Sequence, residues 1–312
     1  MKKAFFSWSI LFFCNLIWSF HFTCIKLTQD QVGPYFTVWL PMLLATVFLA
    51  PYAWRDFKKG NKKIRDVLIF VQLAAIGAFP SQVLMTWGTQ YSLASNAAIL
   101  ILALPVVTAV FAFFILKEKM NRIRWISFGI AIAGVLLCST DDIRNMDMSS
   151  QYAVGNLLIF LAILGNGYYN VGCKKVAEQY TEMEMVFYTY LVMVILLAPL
   201  VWYYEPGMFS VIPHYTAQTW TGMIALTLFH NFLSMLLFFK VLRYLDATQV
   251  ALSNYLITFM GLPIAAFVLG ETLKTQAIIG GVLVLASTLI LTIVDSKAAR
   301  EKKQEELVNA NP

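Results

Sequence analysis

Polar side chains recur inside long apolar stretches of this sequence. The candidates are Asn15, Trp18, His21, Gln82, Asn166, Tyr169, Asn170, His230, Asn231, Asn254 and Tyr255. Asn15, Trp18 and His21 follow one another every three residues, and residues three apart lie on the same side of a helix. Amide, imidazole and aromatic groups bind polar solutes through hydrogen bonds, and aromatic faces attract cations. The pattern therefore predicts a polar cavity between helices that binds a small solute.

Two of these groups have a plainer interpretation beside the functional one. An Asn inside an apolar helix can simply bond to a neighbouring helix. His230 could take up and release a proton as part of the function, because imidazole titrates near neutrality, or it could be a neutral residue bonded to a carbonyl. The set carries little fixed charge, which favours neutral or zwitterionic solutes.

The composition identifies the elements that must position these groups. Of 312 residues, 59% are hydrophobic and 13% charged, against about 25% charged residues in soluble domains. Cys14, Cys24, Cys138 and Cys173 all fall in apolar stretches, so no disulfide framework or metal-ligand spacing is expected. We find no nucleophile beside a base and no acidic pair in one span, so neither an enzyme, a cofactor nor a metal is predicted.

Apolar runs of about 20 residues predict membrane-spanning helices, since lipid leaves backbone groups no other partners. Ten fit, with approximate limits 5–25, 34–54, 66–89, 94–116, 123–140, 152–174, 183–204, 216–240, 247–269 and 275–294. We therefore expect an all-α integral membrane protein.

The Lys and Arg residues orient these spans, because their translocation is disfavoured. With the N-terminus in the cytoplasm, all of the 23 basic residues except Lys26, Arg144 and Lys274 fall on the cytoplasmic side. Both termini are thus predicted to be cytoplasmic, with a cytoplasmic tail at 296–312. The net charge of +6 reflects these connections, so no nucleic acid partner is expected.

The chain also contains an internal repeat. A shift of 148 positions superposes Leu49-Ala50-Pro51 on Leu197-Ala198-Pro199, and a shift of 153 superposes Glu118 on Glu271. Two five-helix halves, 1–145 and 150–295, are predicted. Because five is odd, the halves enter the membrane from opposite sides, and such inverted repeats allow alternating access to a central site.

Several charged or kinking residues lie at or near the predicted span ends: Lys26, Glu118, Lys174, Glu271 and Pro105. The two Lys residues could gate the cavity or simply extend to the membrane surface. We expect the two Glu residues to cap helices or to bond between the halves. Pro105 permits a bend in its helix.

Two local motifs stand in a fixed order along the chain. Trp18 and Ser19 precede Lys26, with Trp18 eight residues before it, and the stretch 91–98 leads to Leu104-Pro105-Val106 and Lys117-Glu118. This order resembles the EamA-type, ten-helix members of the drug/metabolite transporter superfamily over nearly the whole chain, although Ser19 replaces the usual Gly of that family and the second motif is like its fourth helix. The resemblance implies the fold, alternating access and metabolites such as amino acids as substrates, often exported.

These observations predict a metabolite transporter in the plasma membrane, which is the inner membrane of a bacterium, most simply an exporter of amino acids. An importer of a quaternary amine held by Trp18 and Tyr169 is an alternative. A membrane sensor or a structural subunit without transport is another. The expected partners are a small-molecule substrate, the lipid bilayer and, as a candidate coupling ion, a proton. The sequence leaves open whether the protein is a monomer or a homodimer.

Overall fold

The computed structural model describes residues 2–59, 64–117, 122–138, 152–176, 179–242 and 254–310, and within them all regular structure is helical. The helices are α1 Lys2–Thr28, α2 Pro34–Lys59, α3 Ile64–Gln72 continued by Leu73–Ala78 and Phe79–Tyr91, α4 Ala94–Leu100 continued by Ile101–Ala103 and Leu104–Leu116, α5 Arg122–Cys138, α6 Ala153–Val176, α7 Glu182–Tyr204, α8 Ala217–Ile224 continued by Ala225–Ser234 and Met235–Leu242, α9 Tyr255–Leu269 and α10 Thr275–Ala310.

Seven stretches of these helices are long and apolar enough to cross a membrane: Ser9–Thr28, Pro34–Arg55, Leu68–Tyr91, Ala94–Ile115, Ala153–Cys173, Glu182–Tyr204 and Ala217–Val241. Shorter apolar helices follow at Leu256–Leu269 and Thr275–Ser287. The prediction of a helical, multi-pass membrane protein is confirmed.

Two features of the helices were not predicted. α3 and α8 each contain a π-helical segment, Leu73–Ala78 and Ala225–Ser234. The shift of 153 carries the first segment inside the second, so the same distortion occurs at matching places. The other feature is a short helical turn, Met208–Val211, in the connection between α7 and α8.

The most extensive helix contacts among the described residues recur when α1–α5 are exchanged with α6–α10. α2 packs against α7, and α5 against α10. α3 packs against α6, as α8 does against α1; α4 packs against α6, as α9 does against α1. Each of these contacts joins a helix of one half to a helix of the other half.

Close approach of the backbones of α3 and α6 depends on two glycines. A Cβ added to Gly88 would lie 2.6 Å from the Gly155 carbonyl oxygen, and one added to Gly155 would lie 2.7 Å from that of Gly88. Small residues at helix crossings allow this close packing in membranes.

Gly88→Ala is expected to lower the thermal unfolding temperature of the purified protein in detergent, because overpacking costs about 1–3 kcal/mol. Gly129→Ala is the matched control, since a Cβ at Gly129 has no atom within 4 Å and Ala favours a helix over Gly. Equal unfolding temperatures for the two variants would show that this crossing does not need glycine.

Candidate binding cavity

A cavity of about 150 Å³ lies between the two halves. Its lining residues come from α1–α4 and α6–α9 and from Asn254, which directly precedes α9. The lining residues are Trp18, His21, Phe22, Met42, Ala78, Ser81, Gln82, Met85, Ile101, Leu104, Asn166, Tyr169, Asn170, Thr189, Tyr190, His230, Met235, Phe238, Asn254 and Ile257. None of these described lining residues is Asp, Glu, Lys or Arg, so the cavity carries no fixed charge from them.

The structure brings together most of the polar residues singled out in the sequence. Trp18, His21, Gln82, Asn166, Tyr169, Asn170, His230 and Asn254 all line the cavity. Tyr255 begins α9, and its side chain lies outside the described part of the structure. The sequence missed Phe22, Met42, Tyr190 and Phe238, whose apolar or mostly apolar side chains resemble those that face lipid.

Two predicted residues lie elsewhere. Asn15 is buried and donates to the Leu11 carbonyl of its own helix at 2.8 Å. A helix has about 3.6 residues per turn, so residues three apart are offset by about 60° around the helix axis. Asn15 and His21 are six residues apart and are therefore offset by about 120°. Asn231 is buried and donates to the Leu226 carbonyl, five residues earlier, at 2.8 Å. Its amide is therefore committed to the π-helical segment of α8.

The two repeat shifts pair most of the lining residues. The shift of 148 pairs Trp18 with Asn166, His21 with Tyr169, Phe22 with Asn170 and Met42 with Tyr190. The shift of 153 pairs Gln82 with Met235, Met85 with Phe238, Ile101 with Asn254 and Leu104 with Ile257. Both members of each of these eight pairs line the cavity. The cavity is thus built from equivalent positions of both halves, and some pairs, such as Phe22 with Asn170 and Ile101 with Asn254, combine an apolar with a polar side chain.

The contact between α1 and α8 forms one wall. The Trp18 indole N–H donates to the Ser234 hydroxyl at 2.8 Å, and the Trp18 ring lies 4.8 Å from that of Phe238. The Ser234 hydroxyl donates in turn to the His230 carbonyl at 2.5 Å. These bonds fix the Trp18 ring at the edge of the cavity.

His21 and His230 meet face to face in this wall. Their ring centroids are 3.8 Å apart and the rings are parallel. His230 Nδ1 is buried and has no hydrogen-bond partner in the described part of the protein. The equivalent contact between α6 and α3 differs, because Tyr169 packs there against Gly77, whose added Cβ would lie 2.9 Å from the Tyr169 Cβ.

α7 supplies a second polar wall. The Tyr190 hydroxyl donates to the backbone carbonyl of Asn231 at 3.1 Å and lies 3.2 Å from its Oδ1. The hydroxyls of Tyr169 and Thr189 are 3.0 Å apart. These bonds join α7 to α8 and α6 beside the cavity.

The connections 29–33, 92–93, 205–216 and 270–274 lie at one end of the helices, and we call this end the capped face. Hydrogen bonds join these connections and the helix ends beside them. The carboxylate of Glu271 accepts from the backbone N–H groups of Ala94 and Ser95, both at 2.9 Å, at the start of α4. Lys26 Nζ donates to the Gln90 carbonyl at 3.0 Å. Glu271 thus bonds between the two halves.

The other residues considered for gating are placed as follows. Glu118 lies outside the described residues, and Lys174 lies in α6 with its side chain outside them. Pro105 follows the 3₁₀ turn Ile101–Ala103 within α4. A proline this early in a helical segment removes no N–H that the segment needs.

Two further caps on this face were not predicted. The Glu205 carboxylate accepts from the N–H groups of Tyr35 at 2.9 Å and Phe36 at 2.7 Å, at the start of α2. The Gln31 side chain accepts from the Thr216 N–H at 2.8 Å, at the start of α8. Three helix N-termini are therefore capped by a residue of the opposite half, which satisfies donors that a helix leaves free.

A membrane-spanning helical fold with a solute-sized polar cavity between its halves defines a class of protein, the multi-pass membrane transporters. The family comparison makes this specific: the description "EamA-like transporter family" matches residues 6–140 and again 153–293. The chain belongs to the EamA-like transporter family, and it is a transporter of small molecules rather than an enzyme.

Individual relatives agree with this membership. The chain is 20% identical over 286 residues to the uncharacterized transporter YetK of Bacillus subtilis, covering 89% of this chain and 85% of the relative. It is 23% identical to the "Probable terminal-alkyne amino-acid exporter" of Streptantibioticus cattleyicolor (88% and 89% covered), and 21% identical to the S-adenosylmethionine uptake transporter of Rickettsia prowazekii (71% and 70% covered). One solved crystal structure shares the fold, with a TM-score of 0.63 and 14% identity over 94% of this chain and 98% of that one.

The Glu205 cap predicts a pH dependence of stability. Burial raises the pKa of the Glu205 carboxyl above its ordinary value of 4.5, although the Tyr35 and Phe36 N–H groups lower it. A raised folded-state pKa gives stability that is present below about pH 4.5 and lost as pH rises through the raised value. The unfolding temperature of wild type relative to Glu205→Gln should therefore be higher at pH 4.5 than at pH 7.5. A difference that grows with pH would contradict the dominance of burial.

Proposed function

We propose that the protein moves a neutral or zwitterionic metabolite across the membrane by alternating access, and that it is an exporter of an amino acid or a similar solute. The observation that carries this proposal is the cavity itself, which lies between the halves and is lined by matching residues of both. Solutes bind near the midplane of inverted-repeat transporters, where both halves contribute.

The proposed topology has ten spans, both termini in the cytoplasm, and inverted halves at 1–145 and 150–295. Three observations support it: the recurrence of the most extensive helix contacts on exchanging the halves, the matching π-helical segments, and the family description that matches the chain twice. In this topology the capped face is extracellular.

Alternating access then requires the capped face to open while the opposite face closes. Glu205, Glu271 and Gln31 each bond one half to the other there, so these bonds must break when the halves separate. We assign a gating role to Lys26 on this face. By repeat symmetry we assign the same role to Glu118 and Lys174 on the opposite face, and a bending role to Pro105.

The lining supports the proposed class of solute. Amides of Gln82, Asn166, Asn170 and Asn254 can bond to both charged ends of a zwitterion, whereas a solute with net charge meets no fixed counter-charge among the described lining residues. The Trp18 and Phe238 rings supply an apolar surface for a side chain. Export rather than import is supported by the amino-acid exporter among the relatives.

A quaternary amine is a second candidate, favoured by the aromatic rings of Trp18, Tyr169 and Tyr190 in the cavity. Aromatic faces bind such cations. The S-adenosylmethionine uptake transporter among the relatives shows that the comparisons include an importer. A sensor or a structural subunit predicts no flux of any solute.

Trp18→Ala should lower saturable flux of the transported solute in proteoliposomes by about tenfold, the effect of losing about 1.4 kcal/mol of binding. Radiolabelled amino acids and choline are screened separately. Trp202→Ala is the matched control, because Trp202 is 82% exposed on α7 and remote from the lining.

The outcomes of that screen separate the candidates. Amino acid flux that is lost only in Trp18→Ala supports the main proposal, and choline flux with the same loss supports the second. Equal flux in Trp18→Ala and Trp202→Ala would show that Trp18 does not contribute to solute binding. An absence of all flux from protein that retains its wild-type unfolding temperature would support a sensor or subunit.

Cysteine labelling tests the topology. Ser210→Cys, in the exposed turn between α7 and α8, should react with an impermeant maleimide in intact cells. Lys297→Cys, exposed on α10 just beyond the predicted span 275–294, should react only after permeabilisation. Both variants carry Cys138→Ser as well, because the Cys138 side chain lies outside the described part of the structure, whereas native Cys14, Cys24 and Cys173 are buried and give little background. Labelling of Lys297→Cys from outside intact cells would reverse the proposed orientation.

A further inference from the structure

The stacked histidines are one place in the cavity where equivalent positions of the two halves carry different chemistry. The shifts of 148 and 153 carry the contact of Tyr169 with Gly77 onto the contact of His21 with His230. One half thus has a phenol over a glycine where the other has two imidazoles. Packing alone does not require two titratable rings at this position, since the equivalent contact is made without them.

The pair is suited to hold a single proton. Parallel rings with centroids 3.8 Å apart accommodate two neutral imidazoles, or one neutral and one charged. A second proton would place two positive charges at that distance in a site of low dielectric constant, which is strongly unfavourable. The two rings should therefore titrate as one unit.

The described cavity lining contains no Lys or Arg, so a positive charge there would have to come from the two histidines. The other titratable groups near them are the phenols of Tyr169 on α6 and Tyr190 on α7 and the thiols of Cys14 and Cys24 on α1 and Cys173 on α6. Lys26 lies five residues beyond His21 on α1 and bonds to the Gln90 carbonyl. The described lining residues from α2, α3, α4 and α9 include no titratable side chain. Among the side chains of the lining residues, imidazole is the one whose unperturbed titration lies nearest to neutral pH.

We propose that His21 and His230 together form the carboxylate-binding subsite of the cavity and that a carboxylate binds there with uptake of one proton. The proposal rests on the proposed transport function and deepens it, because it assigns a carboxylate to the solute and a proton to its binding. His230 Nδ1 is buried without a hydrogen-bond partner in the described part of the protein. The protonated pair can donate N–H groups to a carboxylate, and such charge-assisted bonds are the strong ones.

The test uses the purified wild-type protein in detergent with ¹⁵N-labelled histidine, and follows the ring signals by NMR between pH 4 and pH 8. The probe is sodium acetate, with acetamide as the neutral isostere and sodium chloride to match ionic strength. The protein has 3 His residues, and His214 lies outside the cavity lining, so it is the internal reference. His21→Gln, His230→Gln and His214→Gln assign the signals.

We expect the cavity pair to take up one proton in total over this range. Acetate at ten times its half-saturating concentration should raise the midpoint of that step by about one pH unit, because binding is linked to the protonated form. Acetamide should have no effect, and His214 should not respond to acetate. In His21→Gln and His230→Gln the acetate effect on the remaining ring should be lost.

The proposal is overturned if acetate shifts the pair no more than acetamide does, if the pair takes up two protons, or if it takes up none even with acetate. These outcomes do not depend on flux. Solute flux without an acetate effect would support the transport proposal and contradict the carboxylate subsite. An acetate effect in a protein without flux would support the subsite and contradict the transport proposal.

Discussion

The structure depends on the constraint that a polar group in lipid must find its partner within the protein. Helical backbones satisfy most groups internally, and many other polar groups are found in three places. Buried amides and hydroxyls donate to carbonyls of their own helices, as those of Asn15 and Thr46 do. Helix N-termini at the capped face receive capping side chains from the opposite half. A third set, including His230 and the cavity amides, lines a space where a polar solute can supply partners.

The cavity combines a symmetric frame with asymmetric chemistry. Equivalent backbone positions of the two halves form its wall, so either half can adopt the packing of the other. The side chains at those positions differ: Trp18 is equivalent to Asn166 in the repeat, and Ile101 is equivalent to Asn254. Symmetry of the backbone serves the exchange of conformations, and asymmetry of the side chains can give one solute a single preferred orientation.

Much of this arrangement follows from the sequence by simple physics. Hydropathy located the long helices because lipid demands apolar surfaces, and polar residues at membrane depth marked much of the cavity because they are costly elsewhere. Asn231 lies outside the cavity lining, because its amide bonds to the Leu226 carbonyl within the π-helical segment of α8, and no local sequence pattern predicts that segment. Phe22 and Met42 look like lipid-facing residues; only their repeat partners, Asn170 and Tyr190, distinguish them.

The long-range caps were invisible for a different reason. Glu205 lies in a connection, and its partners Tyr35 and Phe36 are about 170 residues away in the chain, so no spacing rule relates them. Their location at the capped face also fits the energetics of opening. Donors released there can be hydrated in the proposed topology, whereas donors released at mid-depth would stay unsatisfied in lipid. Bonds that must break during transport are therefore best placed at the membrane surface, while the halves meet at the centre through ring packing and a solute-sized space.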